Sequence, residues 1–306
     1  MRRWFASRPG GQHIGYLFIA PALIFLLLVI VVPIVDTAKV SLETIDYRER
    51  ETRFVGLAHY VALLGDPTFW HSLKNTLLFA LGSTVGHVVL GTLLALMLSV
   101  PWASQTIRNV VRGLLILPWL FSLAAAALIW GLLYDPFGPL NYLLMASGLA
   151  ADHVDFLGNR DLALWYLVII NVWKFYPFYM VMILGGLQSI PQDVYEAAKI
   201  DGAGAVRTFW HITLPLLRPV LIAATTIDMI TTFAAFDLIK IMTNGGPQGS
   251  TQTLALYIWA TGFRDVNLGY GAAMSVTMLV LLTAGTLIYL RLMVRRRDGE
   301  ADGSPI

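Results

Sequence analysis

The chain has 306 residues, 57% of them hydrophobic and 13% charged, with a mean hydropathy of +0.68 and a formal net charge of +2. That composition is too apolar for an ordinary water-soluble domain, and so small a charge lends no support to nucleic-acid binding. The absence of cysteine excludes disulfides, thiolate metal sites and cysteine nucleophiles.

Crossing a bilayer takes about 20 apolar helical residues. Residues 14–35, 73–100, 111–133, 164–187, 219–243 and 269–290 meet that demand. The expected fold is all-α and integral to the membrane: one domain of six transmembrane helices at 14–290, between tails at 1–13 and 291–306. Arg2, Arg3 and Arg8 precede the first stretch as they would in a secretory signal. Its apolar run is too long for one, and no small-x-small cleavage site follows, so it reads as a retained helix. Residues 36–71 are polar, with a charge cluster at 46–53 and a short helix expected at 59–64. Gly82, Gly86 and Gly91 in the second span permit close backbone approach, either to a partner or within the chain. Residues 134–161 carry the turn signals Asp135-Pro136 and Gly138-Pro139, and residues 244–268 open on the turn Asn244-Gly245-Gly246-Pro247. The tail, with Arg295, Arg296 and Arg297, reads as a disordered stop-transfer flank.

Lys and Arg set the orientation. They crowd the tails, the short 101–110 connection and the long 188–218 loop (Arg108, Arg112, Lys199, Arg207, Arg218, Arg291), and are sparser on the other side. The first set is expected to be cytoplasmic, with both termini inside a multi-pass plasma (inner) membrane protein.

The 188–218 loop is the most informative segment. Pro191 suits a first helical turn and Asp193 the positive helix end. Gly202 is placed to end that helix, and a second short helix is expected at 203–212, stopped near Pro215. The two would form a compact knob with carboxylates at Glu196 and Asp201 and small residues at Ala197, Ala198, Ala203 and Ala205. Glu-Ala-Ala alone is only a good helix-former. The full pattern is longer: Glu196-Ala197-Ala198, two residues, Asp201-Gly202-Ala203, eight residues, then Ile212-x-Leu214-Pro215.

That pattern resembles the EAA loop of binding-protein-dependent ABC permeases. Flanking segments are similar to the carbohydrate branch related to maltose and glycerol-3-phosphate permeases: FVGLAHYVALLGDPTFWHSLKNTL, NVWKFYPFYM and FDLIKIMTNGGPQGSTQTL. The resemblance implies a MetI-like type I ABC importer permease fold. It implies that Glu196, Ala197, Ala198, Asp201, Gly202, Ala203, Arg207 and Pro215 contact a separate ATPase. It further implies a second homologous permease, two ATP-binding subunits and an extracytoplasmic solute-binding protein as partners, in a lipid membrane and without nucleic acid. No GxxxxGK[ST] string occurs, so no cofactor is expected on this chain, with ATP and Mg bound by the partner. The chain is then not itself an enzyme.

Polar groups at membrane depth are costly and mark candidate sites. Asn171 and Lys174 accompany Phe175, Tyr176 and Phe178 in the fourth span. Asp228, Thr232, Asp237 and Lys240 lie in the fifth. By resemblance, the positions of Phe175, Phe178, Asp228, Thr232 and Ala235 line the substrate path, with Tyr176 beside them. Ala235 lacks the amide, and Phe175 replaces the glycine, that the maltose-type pattern has there. Asp228 could instead bond another helix, Lys174 could reach the outer interface, and Asp237 and Lys240 could pair three residues apart. The six histidines, His13, His59, His71, His87, His153 and His211, never fall at metal-ligand spacing, and most read as interfacial or loop residues. The expected cargo is a mono-, di- or oligosaccharide, with glycerol-3-phosphate or another polyol as the alternative. An ion-coupled secondary transporter is the rival of another class; it predicts inverted repeats and discontinuous helices, neither visible in the sequence.

Overall fold

The computed structural model describes residues 11–46, 51–100 and 104–301. The chain divides into two compact units, Met1–Asp66 with Ile258–Leu279, and Pro67–Tyr257 with Val280–Ile306.

In the first unit, α1 (Gly11–Leu26) passes through a π turn at Leu27–Val31 into α2 (Val32–Val40). The widened turn precedes Pro33, whose missing N–H and ring disturb the preceding helical bonds. No residue of the apolar run 18–35 is buried, as befits a surface whose solvent is lipid. A two-stranded antiparallel hairpin follows, β1 (Glu43–Asp46) and β2 (Glu51–Phe54), with Glu43 opposite Phe54. No strand was expected here, because the charged residues mask any alternation. Residues 47–50 of the charge cluster lie outside the described residues. The expected short helix is α3 (Ala58–Leu64), tied to the hairpin by His59 Nε2, 3.2 Å from the Glu43 carbonyl and 3.1 Å from Thr44 Oγ1.

The second unit is built on α4 (Pro67–Ser99). Its third span is not one helix: α5 (Gln105–Leu120) and α6 (Leu123–Leu133) meet at a 97° bend. Phe121 and Ser122 are extended there, and Ser122 Oγ accepts from Ala125 N at 3.1 Å, capping α6. The apolar run concealed a capping serine. After α7 (Pro139–Ala146) comes α8 (Ala163–Gln188), which is apolar on all sides and the most buried span. Gly91 admits it: a Cβ there would lie 2.5 Å from Tyr179 Cβ, and one on Gly86 would strike Val172. These two glycines therefore serve packing within the chain. Below them, Leu98, Met180, Ile183, Leu217 and Ala224 join α4, α8 and the fifth span in one apolar core.

The fifth span begins much earlier than position 219. After α9 (Gln192–Ile200), α10 (Ala205–Thr208) runs through a π turn (Phe209–Thr213) into α11 (Leu214–Phe233). The expected stop at Pro215 does not occur, because the π turn absorbs the proline's missing donor; Leu214 N reaches back to the Phe209 carbonyl. α11 ends at Ala234, and α12 (Asp237–Met242) restarts after it. The expected turn follows, with positive φ at Asn244 and Gly245, and leads to α13 (Leu254–Trp259). Asn75 Nδ2 holds this segment by donating to the Gln252 carbonyl at 3.1 Å. Finally α14 (Leu268–Ala301) carries on through positions 295–297, where a disordered flank was expected; Arg, Leu and Met are good helix formers. Among the described residues, five continuous helices are long and apolar enough to cross a membrane, and the bent pair makes a sixth.

Candidate functional site

Two regions gather the residues singled out in the sequence. The first is the loop below the core. α9 ends as Gly202 anticipates: its φ is +73°, Gly202 N donates to the Lys199 carbonyl at 3.1 Å and Ala203 N to the Ala198 carbonyl at 2.9 Å. That pair of bonds is a Schellman motif, and a Cβ at the left-handed position would be strained. Ala198 is buried beneath the helix, and Tyr195 OH lies 3.3 Å from Thr213 Oγ1, pinning α9 to the foot of the fifth span. Glu196, Ala197, Asp201, Arg207 and Pro215 are all exposed, and Ala203 is half-buried. Sequence reading passed over two neighbours: Ile200 is 87% exposed and Val206 73%, flanking the carboxylates with apolar surface.

The second region is a cleft of about 430 Å³ walled by α5, α6, α8, α11 and α12. Phe175, Phe178, Asp228, Thr232 and Ala235, expected to share a site, do share this one. Tyr176 does not; it is buried, and its hydroxyl donates to the Leu115 carbonyl at 2.9 Å. The cleft also takes in Trp119, Asn171 and Asp237. Both interruptions of the helices, at 121–122 and 234–236, fall against it. Irregular backbone at membrane depth is tolerated where it lines such a cavity.

Lys174 is buried and turned inward rather than toward an interface: its Nζ donates to the Trp119 carbonyl at 2.8 Å, at the negative end of α5. The Asp237–Lys240 pair is not formed. Lys240 Nζ reaches Asn244 Oδ1 at 2.8 Å, while Asp237 is exposed in the first turn of α12, where a negative charge suits the helix dipole. Asn171 Nδ2 is buried with no protein partner.

Asp228 is the hub of a buried network. Its Oδ2 accepts from Thr84 Oγ1 at 2.9 Å and Tyr179 OH at 3.1 Å and meets His87 Nδ1 at 3.0 Å; its Oδ1 accepts from Thr232 Oγ1 at 3.0 Å. The carboxylate bonds other helices of its own chain: three hydroxyls donate to it, and the His87 ring lies against it. His87 is the member of this network to which the sequence pointed no role. It is fully buried in α4, and its spacing to Asp228, across 141 positions, offers no local signal.

The model of the family described as binding-protein-dependent transport system inner membrane component matches residues 87–298. The chain belongs to that family. Among relatives, the trehalose/maltose transport system permease protein MalF of Thermococcus litoralis is 37% identical, covering 93% of this chain and 95% of its own length. The sulfoquinovosyl glycerol transport system permease protein SmoG of Agrobacterium fabrum is 36% identical over 94% of this chain and 92% of its own. The sn-glycerol-3-phosphate transport system permease protein UgpA of Yersinia pestis is 33% identical over 95% and 98%. In fold, the permease is similar to a chain of a bacterial ABC transporter involved in import of the acidic polysaccharide alginate, with a TM-score of 0.81 at 23% identity over 93% of this chain and 96% of that one. This permease is thus a membrane subunit of an ABC importer with the expected architecture.

Proposed function

We propose that this permease, paired with a second homologous permease, forms the path of an importer for a neutral carbohydrate, driven by ATP hydrolysis in two separate subunits. The cleft carries the carbohydrate reading. Trp119, Phe175 and Phe178 offer aromatic faces for the C–H faces of sugar rings, and the Asn171 amide and Asp237 carboxylate lie ready for hydroxyls. Asn171 supplies from α8 an amide that Ala235 cannot supply from α11. Asp228, already held by three hydroxyl donors and the His87 ring, orients Thr232 at the cleft wall. An anionic solute such as glycerol-3-phosphate fits poorly, because Asp237 faces the cleft and no Arg or Lys lines it. The names of the trehalose/maltose and sulfoquinovosyl glycerol relatives support a sugar-bearing solute.

The loop carries the coupling reading. Glu196, Ala197, Asp201, Gly202, Ala203, Arg207 and Pro215 form the contact with the ATPase, Ile200 and Val206 enlarge it, and the buried Ala198 packs behind it rather than touching the partner. An exposed apolar patch beside carboxylates on a rigid support suits a protein interface. ATP and Mg bind the partner, a binding protein delivers solute at the outer face, and the basic tails and loop place both termini in the cytoplasm. The test is uptake by the complete transporter in liposomes, with labelled mono-, di- and oligosaccharides beside glycerol-3-phosphate. ATP-dependent uptake of a neutral sugar is expected; uptake confined to an anionic solute would overturn the reading.

A further inference from the structure

Behind the cleft, the His87 ring is fully buried between α4, α8 and α11. Its Nδ1 is 3.0 Å from Asp228 Oδ2 and its Nε2 is 3.0 Å from the Asn171 backbone oxygen. The second is a carbonyl, and Oδ2 already accepts from Thr84 Oγ1 and Tyr179 OH, which leaves it no room for a proton of its own, so both neighbours act as acceptors. A neutral imidazole has one N–H and can donate to only one of them. The other ring nitrogen would then point its lone pair at an oxygen, on a ring that is fully buried, and an unmade buried bond is costly. A carboxylate with only hydroxyl donors would also be left uncompensated at membrane depth.

We propose that His87 is a doubly protonated positioning residue whose imidazolium balances the Asp228 carboxylate and holds the polar wall of the cleft. Thr84 faces the pair from α4, Tyr179 stacks on the ring from α8 at 5.9 Å, and Thr232 completes the carboxylate from α11. Among the described residues no other charged side chain joins the network, since Lys174 is turned to the Trp119 carbonyl. The ring's contact with the cleft is direct: Phe175 meets it edge-on at 6.0 Å. The charge therefore fixes an aromatic wall and, through Asp228, the Thr232 hydroxyl. Only the transport arm of its test rests on the cleft being the solute path.

The transport arm uses charge balance. His87→Phe, Asp228→Asn and the double variant are placed in the complete transporter and sugar uptake is followed in liposomes. His87→Phe leaves a buried carboxylate unpaired, and maximal uptake is expected to fall roughly tenfold or more. Asp228→Asn is expected to be milder, because His87 can release one proton and accept from the new amide. The double variant carries no unbalanced charge and is expected to exceed His87→Phe by about threefold or more. A double variant no better than His87→Phe, or a fully active His87→Phe, overturns the proposal, since a packing role gives no rescue. The second arm needs neither a variant nor transport. In unaltered complex labelled with ¹³C and ¹⁵N, near neutral pH, both His87 ring nitrogens are expected to be proton-bound in solid-state NMR, assigned through the backbone neighbours Gly86 and Val88. One bare ring nitrogen overturns the proposal. Failure of the unaltered complex to take up any sugar would sink the carbohydrate reading alone and leave the NMR result standing.

Discussion

Two aspartates on the fifth span look equivalent as intramembrane carboxylates, yet their surroundings assign them opposite work. Asp228 is 5% exposed and satisfied by Thr84, His87, Tyr179 and Thr232, while Asp237 faces the cleft with no partner among the described residues. Asp228→Ala would strand its donors and leave the proposed His87 charge unpaired, and is expected to destabilise the fold by about 3–5 kcal/mol. Thermal unfolding of the purified complex would show it as a lowered Tm. Asp237→Asn keeps the shape and removes only a cleft-facing charge. Its KM for sugar is expected to rise several-fold with Tm unchanged, and an unaltered KM would remove Asp237 from the path. Gly202 is a third residue whose role is local. Its φ of +73° strains any β-branched replacement by about 1–2 kcal/mol. Gly202→Val is expected to leave the complex inserted but hydrolysing ATP without uptake; full transport would refute the docking role of the loop.

Elements were less legible than residues wherever a helix is interrupted. The apolar run at 111–133 satisfies the length rule, and that rule is blind to a 97° bend. Ser122 carried the signal, a capping residue before Leu-Ala-Ala-Ala, and Pro118 added a second. Ser122→Ala is expected to cost about 1 kcal/mol, read as a lowered Tm with the complex still assembled. At Pro215 the error ran the other way. A proline was expected to stop a helix, and a π turn carried the helix past it. Glycine spacing in α4 suggested close approach without saying to what, because the same motif serves partners and neighbours alike. The structure assigns Gly91 to Tyr179 and Met180 of α8. Gly91→Leu is expected to destabilise by about 1–3 kcal/mol or more through overpacking, with reduced membrane yield as the first sign.

For the whole molecule, the relation between loop and cleft matters most. The loop's α9 is pinned to the base of the fifth span, whose far end lines the cleft, so one continuous helical run from Ala205 to Phe233 joins the two regions. Ile200→Asp with Val206→Asp puts charge on the exposed apolar patch. The variant permease is expected to insert normally but to lose its ATPase subunits on purification, and normal co-purification would move the interface elsewhere. One exclusion made from the sequence lost its footing: discontinuous helices, expected of an ion-coupled secondary transporter, are present at 121–122 and 234–236. The family match over residues 87–298 now carries that distinction.

The membrane location, the span count and the 191–215 loop could be read from sequence because each is a local property: apolar length, charge bias, and cap and proline spacing within one segment. The cleft's aromatic and polar positions were reached through resemblance. Only the tertiary structure decided what each polar group meets, and so separated Asp237 from Asp228, removed Tyr176 from the cleft and brought His87 into the centre. A hydrogen bond joining α4 to α11 links residues 141 positions apart, and its energy depends on burial that no single helix possesses alone.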